Sequence, residues 1–158
     1  MSFEAPARQA SEVGVAAIKS AGRASPEGNS MLTFTQVVLE TGPDGRSRFR
    51  EESTIAFSEG TPQAMRSALR ASGGYQLRHS PVGFRSPFHC STVIQWIFIL
   101  SGTMEIGLQD GSSRVFGPGE HFYSADTLPA EASFDPAVHG HWSRQVGASP
   151  LVTLFVRD

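Results

Sequence analysis

The sequence predicts an all-β protein, a barrel or sandwich of short antiparallel strands. Short runs of β-branched and aromatic residues recur along most of the chain, and turn-forming residues separate them at fairly regular intervals. No long stretch of helical periodicity lies between these runs, so the chain lacks the crossovers that a parallel sheet requires. The 158 residues include 16 glycines and 10 prolines, a composition typical of one domain with many turns.

The first thirty residues differ from the rest and are predicted to be an extension, residues 1–30, before a domain at residues 31–158. This extension is rich in small residues and has few apolar side chains. Ser11 as a helix N-cap and Gly22 as a stop favour a short helix over residues 11–21. Such a helix needs a surface to pack against, on the domain or on a partner subunit. Residues 25–30 are predicted to be a linker.

The first half of the domain contains three predicted strands. Residues 32–40 and 47–52 form the first two, and the turn residues at 42–45 join them. The stretch 60–70 has residues that favour one helical turn, which a glycine pair ends. A third strand is predicted over residues 75–80.

The second half contains the longest strand candidate, residues 88–100. After it, Asp110-Gly111 separates two short strand patterns at 103–108 and 112–116, which is a strong hairpin signal. Further strands are predicted over residues 121–125, 139–146 and 151–156. The domain is therefore expected to hold about nine strands, because each pattern is short and bounded by turn residues.

Composition excludes several classes of function. The net charge is −2 with no run of like charges, so no nucleic-acid partner is expected. Cys90 is the single cysteine and has no partner for an internal disulfide, and we expect it to be an inert buried thiol. The longest apolar run, residues 96–100, is far shorter than the ~20 residues that cross a bilayer. Without a signal-peptide pattern at the N-terminus, the expected location is the cytoplasm, with no membrane partner.

The residues that carry chemistry cluster on one face of the long strand candidate. His89, Ser91 and Gln95 have the same parity, so their side chains are expected to project to one side of the sheet, with apolar neighbours on the same face. These apolar neighbours are Val93, Ile97 and Ile99. His139 and His141 are also two residues apart. An apolar interior face with histidines and an amide predicts a metal site or a small-molecule pocket.

The stretch from Gly83 to Arg144 resembles the cupin family. The first cupin motif is Gly, five residues, His-x-His, three or four residues, Glu, six residues, Gly. This chain reads Gly83-FRSPF-His89-Cys-Ser91-TVI-Gln95-WIFILS-Gly102. The second motif is looser, and Gly140-His141-Trp-Ser-Arg144 is similar to a variant of it, with Asp126-Thr127 similar to a pair found in the same branch of small cupins.

The resemblance, which covers roughly residues 31–158, implies a double-stranded β-helix, or jelly-roll, barrel, to which the chain adds the short N-terminal helical extension. The family's metal site has three histidines and a carboxylate, of which this chain keeps His89 and His141 and replaces the other two by Ser91 and Gln95. We therefore expect a divalent transition metal (Zn, Fe, Mn or Ni) to bind weakly or optionally at His89, Gln95 and His141, unless His139 or Asp126 completes the set.

The expected function is small-molecule binding with proton-transfer chemistry of lyase, isomerase or cyclase type on a small polar or carbonyl substrate. The expected catalytic residues are His89, Gln95 and His141, and the expected ligand-binding residues are Ser91, Ile97, Tyr123 and Arg144. The alternatives are a non-catalytic ligand-binding module and a metal-dependent dioxygenase. Small cupins commonly pair, so the expected assembly is a homodimer. His121 is expected to be structural, while His79 is left open between pocket wall and surface.

Overall fold

The structure is a computed structural model that describes residues 32–158. The helix predicted over residues 11–21 and the linker predicted over 25–30 lie outside the described residues. No helix within the described range has the length and apolar character needed to cross a membrane.

The described chain forms eleven strands. They are β1 (Thr33–Thr41), β2 (Ser47–Ala56), β3 (Glu59–Thr61), β4 (Ala64–Arg66), β5 (Gly74–Ser80), β6 (Gln95–Ser101), β7 (Thr103–Gly107), β8 (Ser113–Phe116), β9 (His121–Ala125), β10 (Trp142–Val146) and β11 (Leu151–Arg157). The sequence prediction of an all-β domain is confirmed.

Two sheets make the body of the domain. The large sheet has the strand order β2-β1-β9-β6-β11-β5, and the small sheet has the order β10-β7-β8. Strands β6 and β9 pair with each other in the large sheet, whereas the intervening strands β7 and β8 pair in the small sheet. A long hairpin is thus rolled over so that its base and its tip lie in opposite sheets. This arrangement is a double-sheet jelly roll, which confirms the predicted all-β jelly-roll barrel.

The core lies between the two sheets, where alternate residues of each strand face inward. Ile97, Ile99 and Phe122 contribute from the large sheet, and Ile106 and Phe116 from the small sheet, all of them buried. The Phe116 and Phe122 rings meet across the core with centroids 4.8 Å apart. The inner faces of β6 and β9 therefore both point into the barrel, and this orientation places the functional side chains.

The hairpin predicted at Asp110-Gly111 joins β7 to β8. Gly111 has a φ of 84°, a left-handed conformation that favours glycine. The Asp110 carboxylate accepts hydrogen bonds from the backbone N and the hydroxyl of Ser112, at 2.9 and 2.6 Å. The turn chemistry that the sequence shows is therefore the chemistry that closes this hairpin.

Three local predictions are wrong. The expected helical turn at 60–70 is the β3-β4 hairpin, turned at residues 62–63, where the proline suits a tight turn. The strand expected over 88–100 begins only at Gln95, because His89 and Ser91 make isolated bridges to residues far along the chain. The strand expected over 139–146 begins at Trp142 for the same reason.

Candidate functional site

A cavity of about 180 Å³ opens between the two sheets. Its polar lining includes Arg78, His89, Ser91, Gln95 and His141, and its apolar lining includes Ile97, Ile106 and Phe122. A larger groove of about 440 Å³ lies on the other face of β6, against Trp96 and Phe98, and has no histidine in its lining. Acid–base chemistry is therefore concentrated in the inner cavity.

The two histidines of the cavity are held together by their backbones. The amide N of His89 donates to the carbonyl O of His141, and the amide N of His141 donates to the carbonyl O of His89, both at 2.9 Å. The ring centroids are consequently 4.5 Å apart. Gly140 has a φ of 79°, and a Cβ there would lie 2.2 Å from the His89 carbonyl O. Only glycine fits beside this pair.

Asp126, just after β9, anchors the ring of His141. The carboxyl group is fully buried, and His141 Nδ1 donates to its Oδ2 at 2.6 Å. The Ser47 hydroxyl donates to the same oxygen at 3.0 Å, while the Ser91 hydroxyl donates to Oδ1 at 2.7 Å. Both carboxylate oxygens are thus engaged, as burial of a charged group requires.

These contacts fix which ring nitrogens are free. A carboxylate can only accept, so the proton of neutral His141 lies on Nδ1 and the lone pair on Nε2. His89 Nδ1 likewise donates to the carbonyl O of Pro87 at 3.0 Å. Neither Nε2 has a hydrogen-bond partner within residues 32–158. The cavity therefore presents two imidazole nitrogens that accept protons or hydrogen bonds.

Burial lowers the pKa of His89, and the hydrogen bond to Pro87 offsets part of this effect. Electrostatic interactions with His141 and Arg78 lower the pKa of His89 further, and the interaction with the Asp126 carboxylate opposes them. With its pKa below the ordinary value of ~6.5, His89 is neutral at pH 7.

Ser91 is not arranged as an activated serine nucleophile. Activation of a hydroxyl requires an imidazole nitrogen that takes its proton, with a carboxylate behind the imidazole. Here the Ser91 hydroxyl bonds directly to Asp126 and to Ser124 Oγ, at 2.7 and 2.6 Å. Ser91 therefore positions the carboxylate, and the base available to a ligand is His141.

The structure brings together five of the seven predicted site residues. Gln95 opens β6 opposite Ser124, and its amide lines the cavity beside the histidines. Ile97 lies two residues further along the same face and is buried in the cavity wall. His89, Ser91 and His141 complete this group.

Tyr123 and Arg144 are the two predicted ligand-binding residues that lie away from the cavity. Tyr123 follows the inward-facing Phe122, so its side chain points out of the barrel, where its hydroxyl donates to Asp158. Its burial, and secondly this contact, raise the Tyr123 pKa to about 12. The exposed Arg144 donates from Nε to Glu105 at 2.6 Å. Neither side chain lines the cavity, and the ligand-binding roles of both residues stay predictions.

Val93, expected in the pocket wall, is 37% exposed. The alternation of a strand does not extend to it, since β6 begins two residues later. Cys90, expected to be an inert buried thiol, is partly buried in the lining of the cavity, and burial raises the pKa of its thiol. Two other histidines lie elsewhere: His79 is exposed, and His121 stacks on Phe34 on the outer face with ring centroids 4.8 Å apart.

Arg78 is the functional candidate that the sequence analysis missed. It lies on β5 opposite Thr153, next to the exposed His79, and its side chain is partly buried in the cavity lining. Its guanidinium lies over the Phe84 ring at 4.6 Å, and burial lowers its pKa. Strand alternation was the available signal, because an outward His79 requires an inward Arg78.

The cavity does not contain a complete ligand set for a tightly held divalent ion. Among the described residues there is no group of three His, Cys, Asp or Glu side chains that could hold a metal. The two free imidazole nitrogens and the Gln95 amide provide no negative charge, and the Asp126 oxygens are engaged by other donors. Weak metal binding at His89, Gln95 and His141 stays a prediction.

The rolled hairpin encloses a cavity between its two sheets, and the candidate site in this cavity contains two histidines. Among solved structures, the chain is similar to the cupin domain of Schizosaccharomyces pombe Cnp3. The two share 14% sequence identity, the TM-score is 0.36, and the match covers 80% of this chain and 84% of that one. No family model matches the chain, and no curated protein matches it.

Proposed function

We propose that this protein is an enzyme of lyase, isomerase or cyclase type that moves a proton on a small polar or carbonyl substrate in the barrel cavity. One observation carries the proposal. Buried Asp126 accepts the Nδ1–H of His141 at 2.6 Å, and the Nε2 of His141 has no partner among the described residues. This is the arrangement of an oriented general base.

His141 is suited to remove a proton from carbon. In the step, a C–H bond next to a carbonyl breaks, its electron pair stays on the substrate as an enolate, and the proton goes to Nε2. The imidazolium that results lies against the buried Asp126 carboxylate, which stabilises the new charge. A positioned base of this kind contributes roughly 10²–10⁴-fold to a rate.

His89 and Gln95 supply the groups that orient the substrate. The neutral His89 ring accepts a hydrogen bond at Nε2, which suits a substrate hydroxyl. The Gln95 amide both donates and accepts, so it can bind the carbonyl oxygen where negative charge develops. Because the Nδ1 atoms of both rings are fixed, the two imidazoles are oriented before the substrate binds.

The size of the cavity limits the reacting part of the substrate. Its volume is about 180 Å³, enough for several water molecules. A compound of a few non-hydrogen atoms fits, as does the reacting end of a longer one.

Hydrogen–deuterium exchange tests the proposal without knowledge of the complete reaction. The protein is incubated in D₂O with pyruvate, pyruvamide, acetoacetate, acetoacetamide and dihydroxyacetone, and loss of each C–H signal is followed by proton NMR. We expect exchange above the buffer rate with at least one compound, and a loss of ~10²-fold or more in His141→Gln. His121→Gln, at a histidine on the outer face of the large sheet and away from the cavity, is the matched control.

Exchange that survives unchanged in His141→Gln, or no exchange with any compound, would contradict the proposed chemistry. A compound that binds without exchange would favour the alternative, a non-catalytic ligand-binding module, because the same cavity serves both. Dioxygenase chemistry at an iron site of two histidines and one carboxylate would need a free carboxylate, and the Asp126 carboxylate is engaged by His141, Ser47 and Ser91.

A further inference from the structure

Arg78 is an uncompensated cation at the proposed site. No ion pair and no hydrogen bond joins its guanidinium to any residue of the described range, and its one ring contact is Phe84. Most other arginines of this range pair with acids, as Arg50 does with Glu40 and Glu52. Arg46, Arg85 and Arg157 lack such pairs too, but they are exposed to water. A partly buried charge normally has a partner, so Arg78 lacks one that a ligand can supply.

Arg78 lies where the cavity meets a second, outer groove. The groove has a volume of about 540 Å³, and Arg78, Thr92, Gln95 and Phe155 line both spaces. A molecule that enters the cavity from this groove therefore passes the guanidinium. Its leading end reaches the histidines while its trailing end stays beside Arg78.

The charges along this route favour an anion. No acidic side chain among the described residues lines either the cavity or the outer groove. The groove adds a second arginine, Arg157, whose guanidinium donates to Gln76 at 2.9 Å. Asp126 is the buried acid behind the cavity, and its oxygens are already bonded to His141, Ser47 and Ser91. Arg78 therefore attracts a negative ligand where it enters the cavity, while the buried Asp126 carboxylate, behind the histidines, opposes one.

The small cavity and the planar guanidinium together select a carboxylate. A guanidinium binds a carboxylate through two parallel N–H···O bonds, which fixes orientation as well as charge. We propose that the substrate is a small carboxylic acid whose carboxylate pairs with Arg78 while its reacting C–H lies against His141. Arg78 is then the residue that selects the substrate class. This inference rests on the proposed function for the role of His141, but the binding step is independent of it.

Binding of matched acids and amides tests the assignment. Dissociation constants of pyruvate, acetoacetate, pyruvamide, acetoacetamide and inorganic phosphate are measured by ligand-observed NMR titration. We expect the carboxylates to bind about 10- to 100-fold more tightly than their amides, as for a charge-assisted pair of hydrogen bonds. Arg78→Gln should lose this difference and bind acid and amide alike. Arg85→Gln, at an exposed arginine that does not line the cavity, should keep it.

The amides also report on folding of the variant. Equal binding of the amides by wild type and Arg78→Gln shows that the cavity is intact, and Arg78→Lys should lose part of the preference because it keeps the charge without the planar fork. The proposal is overturned if acids and amides bind wild type with equal Kd, or if phosphate binds more tightly than the acids. It is also overturned if no acid binds with a Kd below 10 mM, which corresponds to a binding free energy of about 2.7 kcal/mol.

The two proposals fail in different ways. Carboxylate binding that depends on Arg78, without deuterium exchange, supports the anion site and contradicts the proton-transfer function. Exchange that depends on His141 but is equal for acids and amides supports the function and contradicts the anion site. His141→Gln should abolish exchange and still bind pyruvate through Arg78.

Discussion

Replacement of Asp126 by alanine tests the buried network that orients His141. The carboxyl group is fully buried and accepts from His141 Nδ1, Ser47 Oγ and Ser91 Oγ at 2.6, 3.0 and 2.7 Å. After the change, the Ser91 hydroxyl still has Ser124 Oγ at 2.6 Å. His141 Nδ1 and the Ser47 hydroxyl lose their acceptor, and both residues are buried.

The expected loss of stability follows from these two orphaned donors. A buried donor without a partner costs about 1–3 kcal/mol, so the pair costs about 2–6 kcal/mol. This is a large part of the ~5–15 kcal/mol by which domains are stable. At about 3–5 °C per kcal/mol for a domain of this size, the melting temperature should fall by at least ~6 °C.

Urea and thermal unfolding, followed by circular dichroism, measure the effect, and an unchanged urea m-value shows that the comparison is valid. Asp44→Ala is the matched control, because Asp44 is exposed and accepts one bond, from the Arg46 backbone N at 3.2 Å. It should change stability by no more than about 0.5 kcal/mol. Asp126→Asn should recover part of the loss, since an amide oxygen can still accept from His141. If Asp126→Ala melts within ~2 °C of wild type, the network does not hold the ring as described.

Three further predictions concern pH, metal and assembly. Burial lowers the pKa of both His89 and His121, so the unfolded chain binds protons first as the pH falls, and the free energy of unfolding should decline below about pH 6.5 towards the folded pKa values. In urea titrations, a His89→Gln, His121→Gln double variant should lose less of its free energy of unfolding than wild type between pH 7.5 and 5. Gln95→Glu should tighten the binding of Zn²⁺, measured by calorimetry, because it adds an anionic ligand beside the histidines. The same variant should melt at a lower temperature in the presence of chelator, because the new carboxylate is partly buried, and no change in either quantity would contradict the placement of Gln95 in the cavity. The domain leaves the edges of β2, β5 and β8 unpaired within the described chain, so light scattering should report a homodimer at micromolar concentration. A chain that starts at Met31 shows whether residues 1–30 contribute to the dimer, and a monomer of the full chain would refute the prediction.

The fold was predictable because its signals are local. The Asp110-Gly111 turn and the alternation of buried residues along β9 can be read from a few neighbouring residues, and both appear in the structure. The segment before β6 could not be read in this way. His89 and Ser91 have strand-like spacing, but their partners are His141 and Thr127, and no local pattern contains such distant pairings.

The sequence predicted the two histidines of the candidate site, but not the roles of its two charged residues, Asp126 and Arg78. The motif spacing of the first cupin motif placed His89, Gln95 and Ile97 on one lining surface. The sequence suggested Asp126 as a replacement metal ligand. In the structure, its carboxylate accepts a hydrogen bond from His141 Nδ1, and this contact depends on the position of the residue that follows β9. Arg78 lies outside any motif, and its importance depends on the absence of an acidic neighbour in the described fold, which a sequence does not show.

The reciprocal backbone bonds between His89 and His141 also determine when the site exists during folding. The two rings come from segments far apart in the chain, and they meet only when the barrel closes. A partly unfolded chain therefore has no oriented pair of imidazoles and no cavity, so a ligand that needs both binds the closed barrel alone. Such a ligand at 100 times its Kd adds about 2.7 kcal/mol to the free energy of unfolding. The melting temperature is then a direct readout of occupancy, and a thermal scan of metabolite mixtures can find the natural substrate without an assay for its reaction.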